Sequence, residues 1–264
     1  MYKLIPTTFM LFSCIHSVNA ETIRLHAAGS LKAVMTEITE QYQSQTGTAF
    51  ETAFGPSGLL RQRIEKGEIT DLFASANMRH PEVLQQQGLG STVVQFAQNK
   101  LCALAQAGVE VDTNSLLAVI LDPAIRLGTS TPKADPSGDY AWQLFKKAGN
   151  VHAGAFEQLD AKALKLTGGP DSEVAPEGRN QYGWVMQNNK ADIFLTYCTN
   201  TLLAQKDVPA LQIITLPNSL SVGADYGLIV MKQASPQTRN FADYLLGQEA
   251  RQIFRRYGFS VSDE

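Results

Sequence analysis

The sequence predicts an α/β protein with mainly parallel sheets. Short apolar strand runs alternate with segments of helical periodicity along most of the chain, which is the pattern of repeated βαβ units. Several of these strand runs end in short turns rich in Ser and Gly that lead directly into a helix. Size and composition agree. A chain of 264 residues, 44% hydrophobic and 18% charged, is an ordinary globular chain long enough for one large or two small domains, and is neither disordered nor fibrous.

The first strand is expected over 22–27. Ser30 then caps a helix to about Thr46, with Leu31, Val34, Met35, Ile38 and Tyr42 on one face and Gly47 as its stop. A second strand over 50–54 turns through Gly55-Pro56-Ser57-Gly58 into a helix carrying Leu59, Leu60 and Ile64 and ending near Gly67. A third strand over 71–75 precedes a helix over 81–87. The apolar strand at 100–105 opens a section with its own rhythm: helix 114–121, strand 126–128, and Asp135-Pro136-Ser137-Gly138 leading into a helix with Tyr140, Ala141, Leu144 and Phe145. Strand 161–166, a Gly-Pro loop, helix 178–187, strands 191–197, 211–216 and 226–231, and helices 236–246 and 248–257 complete the chain.

Residues 1–20 read as a secretory signal peptide: one Lys, an apolar run, and Val18-Asn19-Ala20 before a cut. Export places Cys102 and Cys198 in an oxidising compartment, where they form either a disulfide or two separate buried thiols. The four His at 16, 26, 80 and 152 are scattered, so no protein-built metal site is expected. A net charge of −3 offers no basic field for a nucleic acid, and any bound anion must be held by locally aimed donors.

Such donors are available at Ala28-Gly29-Ser30, Gly55-Pro56-Ser57-Gly58 and Pro136-Ser137-Gly138. A helix N-terminus presents free N–H groups and the positive end of a dipole, and Ser adds a hydroxyl. The same residues also serve as plain N-caps, so each turn alone has two readings and the set of three is what suggests a site.

The segments IRLHAAGSLKAVMTEITEQYQSQTG, FGPSGLLRQRIEKGEITDLFASANMRHPEVL, PSGDYAWQLF, ADIFLTYCTN and RQIFRRYGF together resemble the periplasmic molybdate-binding family of ABC importers, which has the type II periplasmic solute-binding fold. The resemblance covers nearly all of residues 21–264. It implies two lobes, each a mainly parallel sheet flanked by helices: 21–102 plus 228–264, and 103–227, joined by hinge strands near 100–105 and 226–231. It further implies a periplasmic receptor, peripheral to the membrane, that holds molybdate or tungstate as an oxyanion and delivers it to permease and ATPase subunits. No cofactor and no catalysis are implied.

By motif, the resemblance assigns hydroxyl and amide donation to Ser30 and Ser57, a backbone N–H to Ser137 and a hydroxyl to Tyr197. At the fifth position this chain has Arg179 where an apolar residue is usual. Arg179 either faces solvent or turns inward, where its planar fork would suit a phosphate- or carboxylate-bearing organic anion and a receptor or adhesion role. A bridge from Cys102 to Cys198 would tie the hinge to the second lobe. A hydrolase with Ser57 as nucleophile has little support, because the motif is not G-x-S-x-G and none of His26, His80 or His152 is identifiable as its base.

Overall fold

The structure, a computed structural model, describes residues 22–261. The expected signal peptide lies outside the described residues. The chain begins with three strand–helix units. These are β1 (Thr22–Ala28) and α1 (Lys32–Thr46), joined by a 3-10 turn at Gly29–Leu31; β2 (Ala49–Gly55) and α2 (Ser57–Glu65); and β3 (Leu72–Ser75) and α3 (Arg79–Gln86). Then come β4 (Val94–Ala105), α4 (Leu116–Leu121), β5 (Leu127–Ser130), α5 (Pro136–Val151), α6 (Ala155–Lys162), β6 (Leu164–Thr167), α7 (Gln181–Gln187) and β7 (Ile193–Tyr197). The chain ends with α8 (Cys198–Asp207), β8 (Gln212–Thr215), β9 (Gly223–Val230), α9 (Pro236–Leu246) and α10 (Gln248–Arg256).

The described strands form one hydrogen-bonded path, β2-β1-β3-β9-β4-β7-β5-β6, with β8 also on β4. The outer strands are parallel, β2-β1-β3 at one end and β7-β5-β6 at the other, as successive βα units require. The central pairings β3–β9, β4–β9, β4–β7 and β4–β8 are antiparallel, so the sheet is more mixed than the alternation alone suggests. The cause is the chain path. β4 carries the chain out of the first half and β9 brings it back, so both run against their neighbours.

β4 changes partners along its length. Val94 to Lys100 pairs with β9, whereas Leu101 to Ala105 pairs with β7 on one side and β8 on the other. The return passage lies between the end of β8 and the start of β9.

Packing follows the periodicity in the sequence. Val34, Met35, Ile38 and Tyr42 of α1 are buried over Ile23, Leu25 and Ala27 of β1, and Gly47 ends the helix in the left-handed conformation. The Tyr42 ring meets Phe241 of α9 edge-on at 5.0 Å, which fixes the closing helices to the first half. Phe254 of α10 packs against Phe96 at 5.5 Å, and Phe259 against Tyr226 at 5.5 Å. The terminal aromatic-Gly-Phe is thus seated on β4 and β9, and full burial of a side chain such as Phe254 is worth about 2–3 kcal/mol.

The sequence pattern does not show α6 or α8, and residues 161–162, expected as strand, belong to α6. α8 buries Thr199, Asn200 and Thr201 with Ala204 as its one fully buried apolar residue, while Leu202 is exposed, so its inward face is mostly polar. Cys102 of β4 and Cys198, the first residue of α8, are joined as a disulfide with Cα atoms 4.8 Å apart. The link closes 96 residues of separation, a loop long enough for a large entropic effect on the unfolded chain. Replacing both with Ala is expected to lower unfolding free energy by about 2–5 kcal/mol. Urea titration checks this, and an unchanged midpoint would show that the bridge contributes nothing.

Candidate functional site

The three Ser turns do not behave alike. Ser30 lies in the 3-10 turn between β1 and α1, and neither that turn nor α1 has a side-chain cap. Its hydroxyl instead meets the Tyr226 hydroxyl at 3.0 Å. Ser57 is the first residue of α2, follows Pro56 and also makes no cap bond. Its Oγ is buried and accepts the Ala76 N–H at 3.1 Å. Plain N-capping therefore accounts for neither serine.

Ser137 is different. Asp135 is the cap of α5, and its Oδ1 accepts the Ser137 N–H at 2.9 Å. The Ser137 hydroxyl points to Thr196 Oγ1 at 3.3 Å. The backbone donor expected of Ser137 is thus committed within its own turn, because Asp-Pro-Ser supplies a better cap than Ser alone.

Tyr197 ends β7 and is buried, with its hydroxyl donating to the Ala76 carbonyl at 3.3 Å. Ala76 follows β3, so this single residue engages Ser57 through its N–H and Tyr197 through its carbonyl. Tyr197 and Tyr226 have ring centroids 5.7 Å apart, and Tyr140 lies 6.1 Å from Tyr197. Burial raises the pKa of Tyr197 and Tyr226 above the ordinary phenol value, so both stay protonated and able to donate. The structure therefore gathers Ser30, Ser57 and Tyr197 around Ala76 and Tyr226, two residues that the sequence pattern did not single out. The signal available for Ala76 was its place one residue past an apolar strand end, where parallel sheets build ligand sites.

Arg179 is held elsewhere. Its Nε donates to Asp207 Oδ1 at 3.0 Å, and one terminal nitrogen reaches Gln187 Oε1 at 2.6 Å. Asp207 ends α8 and Tyr197 immediately precedes it, which at helical rise puts them about 15 Å apart along the axis. The inward Arg179 expected for an organic phosphate or carboxylate is not what the structure shows. A carboxylate at the far end of α8 binds the guanidinium in a partly exposed pair.

The two halves meet across this site. The Gly58 N–H, at the start of α2, donates to the Ala134 carbonyl at 2.8 Å. The donating turn approaches so closely that a Cβ on Gly58 would overlap the Lys133 carbonyl and sit 2.7 Å from that of Ala134. Lys133 has a left-handed φ of 68°, and its N–H is tied to Asp139 Oδ1 at 2.9 Å, which holds the two carbonyls towards α2. A carbonyl set against a helix N-terminus satisfies one of the free amides that end would otherwise present.

Among the described residues no imidazole serves Ser57. His26 is bonded to Glu68 at 2.9 Å and Thr70 at 3.1 Å, and buried His80 has no partner for Nε2. Burial, aided by the charges of Arg61 and Arg79, pushes His80 down to about 4. Burial pushes the Asp135 carboxyl up to about 6, although the Ser137 amide works the other way. Among the described residues no group of three or more His, Cys, Asp or Glu could hold a metal, and no helix is long and apolar enough to cross a membrane.

Two outcomes are expected from this geometry. Gly58→Ala would normally favour a helix by about 0.5–1 kcal/mol, but here the methyl should push the halves apart. A lower melting temperature with a larger radius of gyration in solution scattering is the expected result, and a variant as compact and at least as stable would remove the contact from consideration. For His80 the unfolded chain takes up a proton below its ordinary value of 6.5 while the folded chain does not until about 4. Its contribution to stability is therefore lost as pH falls through that window. His80→Gln should remove this loss, read as the difference between the two stability–pH curves, since Asp135 acts in the opposite sense. Parallel curves would contradict the assignment.

Comparison with known proteins places the chain in a family. Residues 23–260 match the family described as bacterial extracellular solute-binding protein. An uncharacterised protein of Pasteurella multocida is 42% identical over 213 residues, 78% of this chain and 86% of its own. The molybdate-binding protein ModA of Escherichia coli is 27% identical over 250 residues, 90% of this chain and 89% of its own. The solved Azotobacter vinelandii periplasmic molybdate-binding protein superposes with a TM-score of 0.73 at 19% identity, covering 91% of this chain and 100% of that one. That likeness shows the shared two-lobed α/β fold. The chain belongs to the bacterial extracellular solute-binding proteins.

Proposed function

We propose that the protein captures a tetrahedral, fully deprotonated oxyanion, molybdate or tungstate, between its lobes and delivers it to the permease and ATPase subunits of an ABC importer. The observation that carries this reading is the buried Ser57 hydroxyl. Its oxygen already accepts the Ala76 N–H, so its own proton is left to donate. Ser30 at the first turn supplies a further hydroxyl at the same place, and the Tyr197 hydroxyl at the end of β7, which donates to the Ala76 carbonyl without ligand, would exchange that acceptor for an anion oxygen on binding. The relatives named as molybdate-binding support the choice of anion, and so does the engagement of Arg179 by Asp207, which leaves the organic phosphate or carboxylate alternative without its cation.

The mechanism is lobe closure around the ion. Dehydrating a dianion is costly and is offset only when nearly every oxygen receives a donor, so neutral hydroxyls and helix-terminal amides set both affinity and size selection. Ligand favours the closed form by its differential affinity for it. Lobes at 21–102 with 228–264 and at 103–227 are supported by the partner change in β4 at Lys100 and Leu101 and by the return between β8 and β9. The family's extracellular setting supports export through residues 1–20 and a periplasmic location.

Calorimetric titration of the ligand-stripped protein with molybdate, tungstate, sulfate, phosphate, citrate and 3-phosphoglycerate tests the reading. Tight 1:1 binding of molybdate or tungstate is expected, with Ser30→Ala and Ser57→Ala each costing about 1–3 kcal/mol. Binding of a phosphate ester or carboxylate alone would overturn it, and unchanged affinity in both variants would take these serines out of the site.

A further inference from the structure

We propose that Asn99 and Tyr226 are positioning residues that fix the direction of the Ser30 hydroxyl, so that it can only donate to the bound anion. The inference rests on the oxyanion reading and goes beyond it to the source of selectivity. Hydroxyl hydrogens rotate, and their direction is set by the donors and acceptors around them. Here the network favours one arrangement, in which every proton within it has an acceptor.

The starting point is an amide whose two ends are distinguishable. Asn99 Oδ1 accepts the Lys100 N–H at 2.8 Å, so the other terminal atom is the nitrogen, a donor only. That nitrogen donates to Thr199 Oγ1 at 2.7 Å and to the Tyr226 oxygen at 3.3 Å. Tyr226 therefore receives a hydrogen bond on one side and must place its own proton on the other, where Ser30 Oγ lies at 3.0 Å. Ser30 then accepts from Tyr226 and has its proton free for a ligand. Ser57 reaches the same condition by a shorter route, since the Ala76 N–H occupies its oxygen.

The ring of Tyr226 is fully buried and wedged by Phe96 and Phe259 at 6.2 and 5.5 Å, so the hydroxyl cannot swing to another partner. Burial also keeps it protonated, so the relay does not titrate away. Two serines locked as donors suit an anion whose oxygens all accept. An anion that carries a proton, such as hydrogen phosphate, brings a donor to two serine hydroxyls that offer it no acceptor, and a proton directed at either is left unsatisfied.

The test uses molybdate and hydrogen phosphate as probes against the mature protein and its Tyr226→Phe variant. The variant keeps the ring in its aromatic setting, and its ligand-free melting temperature reports whether the fold is intact. Molybdate affinity is expected to fall roughly tenfold. The preference for molybdate over hydrogen phosphate should narrow, because an unanchored Ser30 hydroxyl can also accept. In a Ser30→Ala background Tyr226→Phe should have no further effect on molybdate, whereas with Ser57→Ala the two losses should multiply. Asn99→Leu, which spares both the ring and the serine, should narrow the preference in the same direction. Unchanged affinity and selectivity in Tyr226→Phe, or losses that multiply with Ser30→Ala, would overturn the relay while leaving the oxyanion reading standing. Failure of the wild-type protein to bind molybdate, tungstate or sulfate would overturn both.

Discussion

The structure depends on the exchange of partners along β4. A single strand satisfies β9 with its first part and β7 and β8 with its second, so the hydrogen-bond ladders of both halves are referenced to one backbone. Residues on either side of that exchange reach directly into the site. Asn99, just before it, bonds Tyr226, and Cys102, just after it, is joined to the residue that follows Tyr197. On the proposed lobe division, a rotation of one half against the other about this strand would move Ser30 and Ser57 relative to Tyr197. The disulfide keeps Tyr197 registered to the strand on the second-half side.

Uncharged donors suit this place for a reason of energetics. A guanidinium in a closed cleft would itself need dehydration, and its fork favours planar pairs with carboxylate or phosphate oxygens. Hydroxyls and amides cost less to bury and lose little when their partners are already arranged, and Ala76 supplies these as an N–H donor to Ser57 and a carbonyl acceptor to Tyr197. Arg179, the one cation in the expected ligand set, is drawn to Asp207 and Gln187 instead. Its charge is satisfied on α7 and α8.

Much of the fold was legible in the sequence because its outer units are local. Each βα unit carries its own apolar strand, its own turn and its own amphipathic helix, so α1 and β1 could be placed to within a residue or two. What escaped was non-local. α8 has buried Thr199, Asn200 and Thr201, and its inward polarity makes sense only beside Asn99 and Thr196, which come from other strands. The antiparallel centre depends on the chain returning through β9, which no local pattern records. Within the candidate site, Ser30, Ser57 and Tyr197 were singled out through turn chemistry and resemblance. The competition between Asp135 and Ser137 for one cap, and the attraction of Arg179 to a residue 28 positions away, appear only in three dimensions.

The contact between Gly58 and Ala134 bears on how such a protein can both hold and release an ion. On the proposed lobe division, the bonds Gly58 to Ala134 and Tyr197 to Ala76 lower the free energy of the closed form in the absence of an ion. Every such bond reduces the work required of the ligand to close the cleft, and so raises apparent affinity, until the open form becomes too rare for entry. The two bonds are single, neutral and aimed from backbone to backbone or hydroxyl to backbone, each worth about 1 kcal/mol net. That scale biases closure without fixing it. On the proposed oxyanion reading, most of the closing free energy comes from the ion's own oxygens, so a partner that binds the open lobes needs to supply only the difference to draw the ion out.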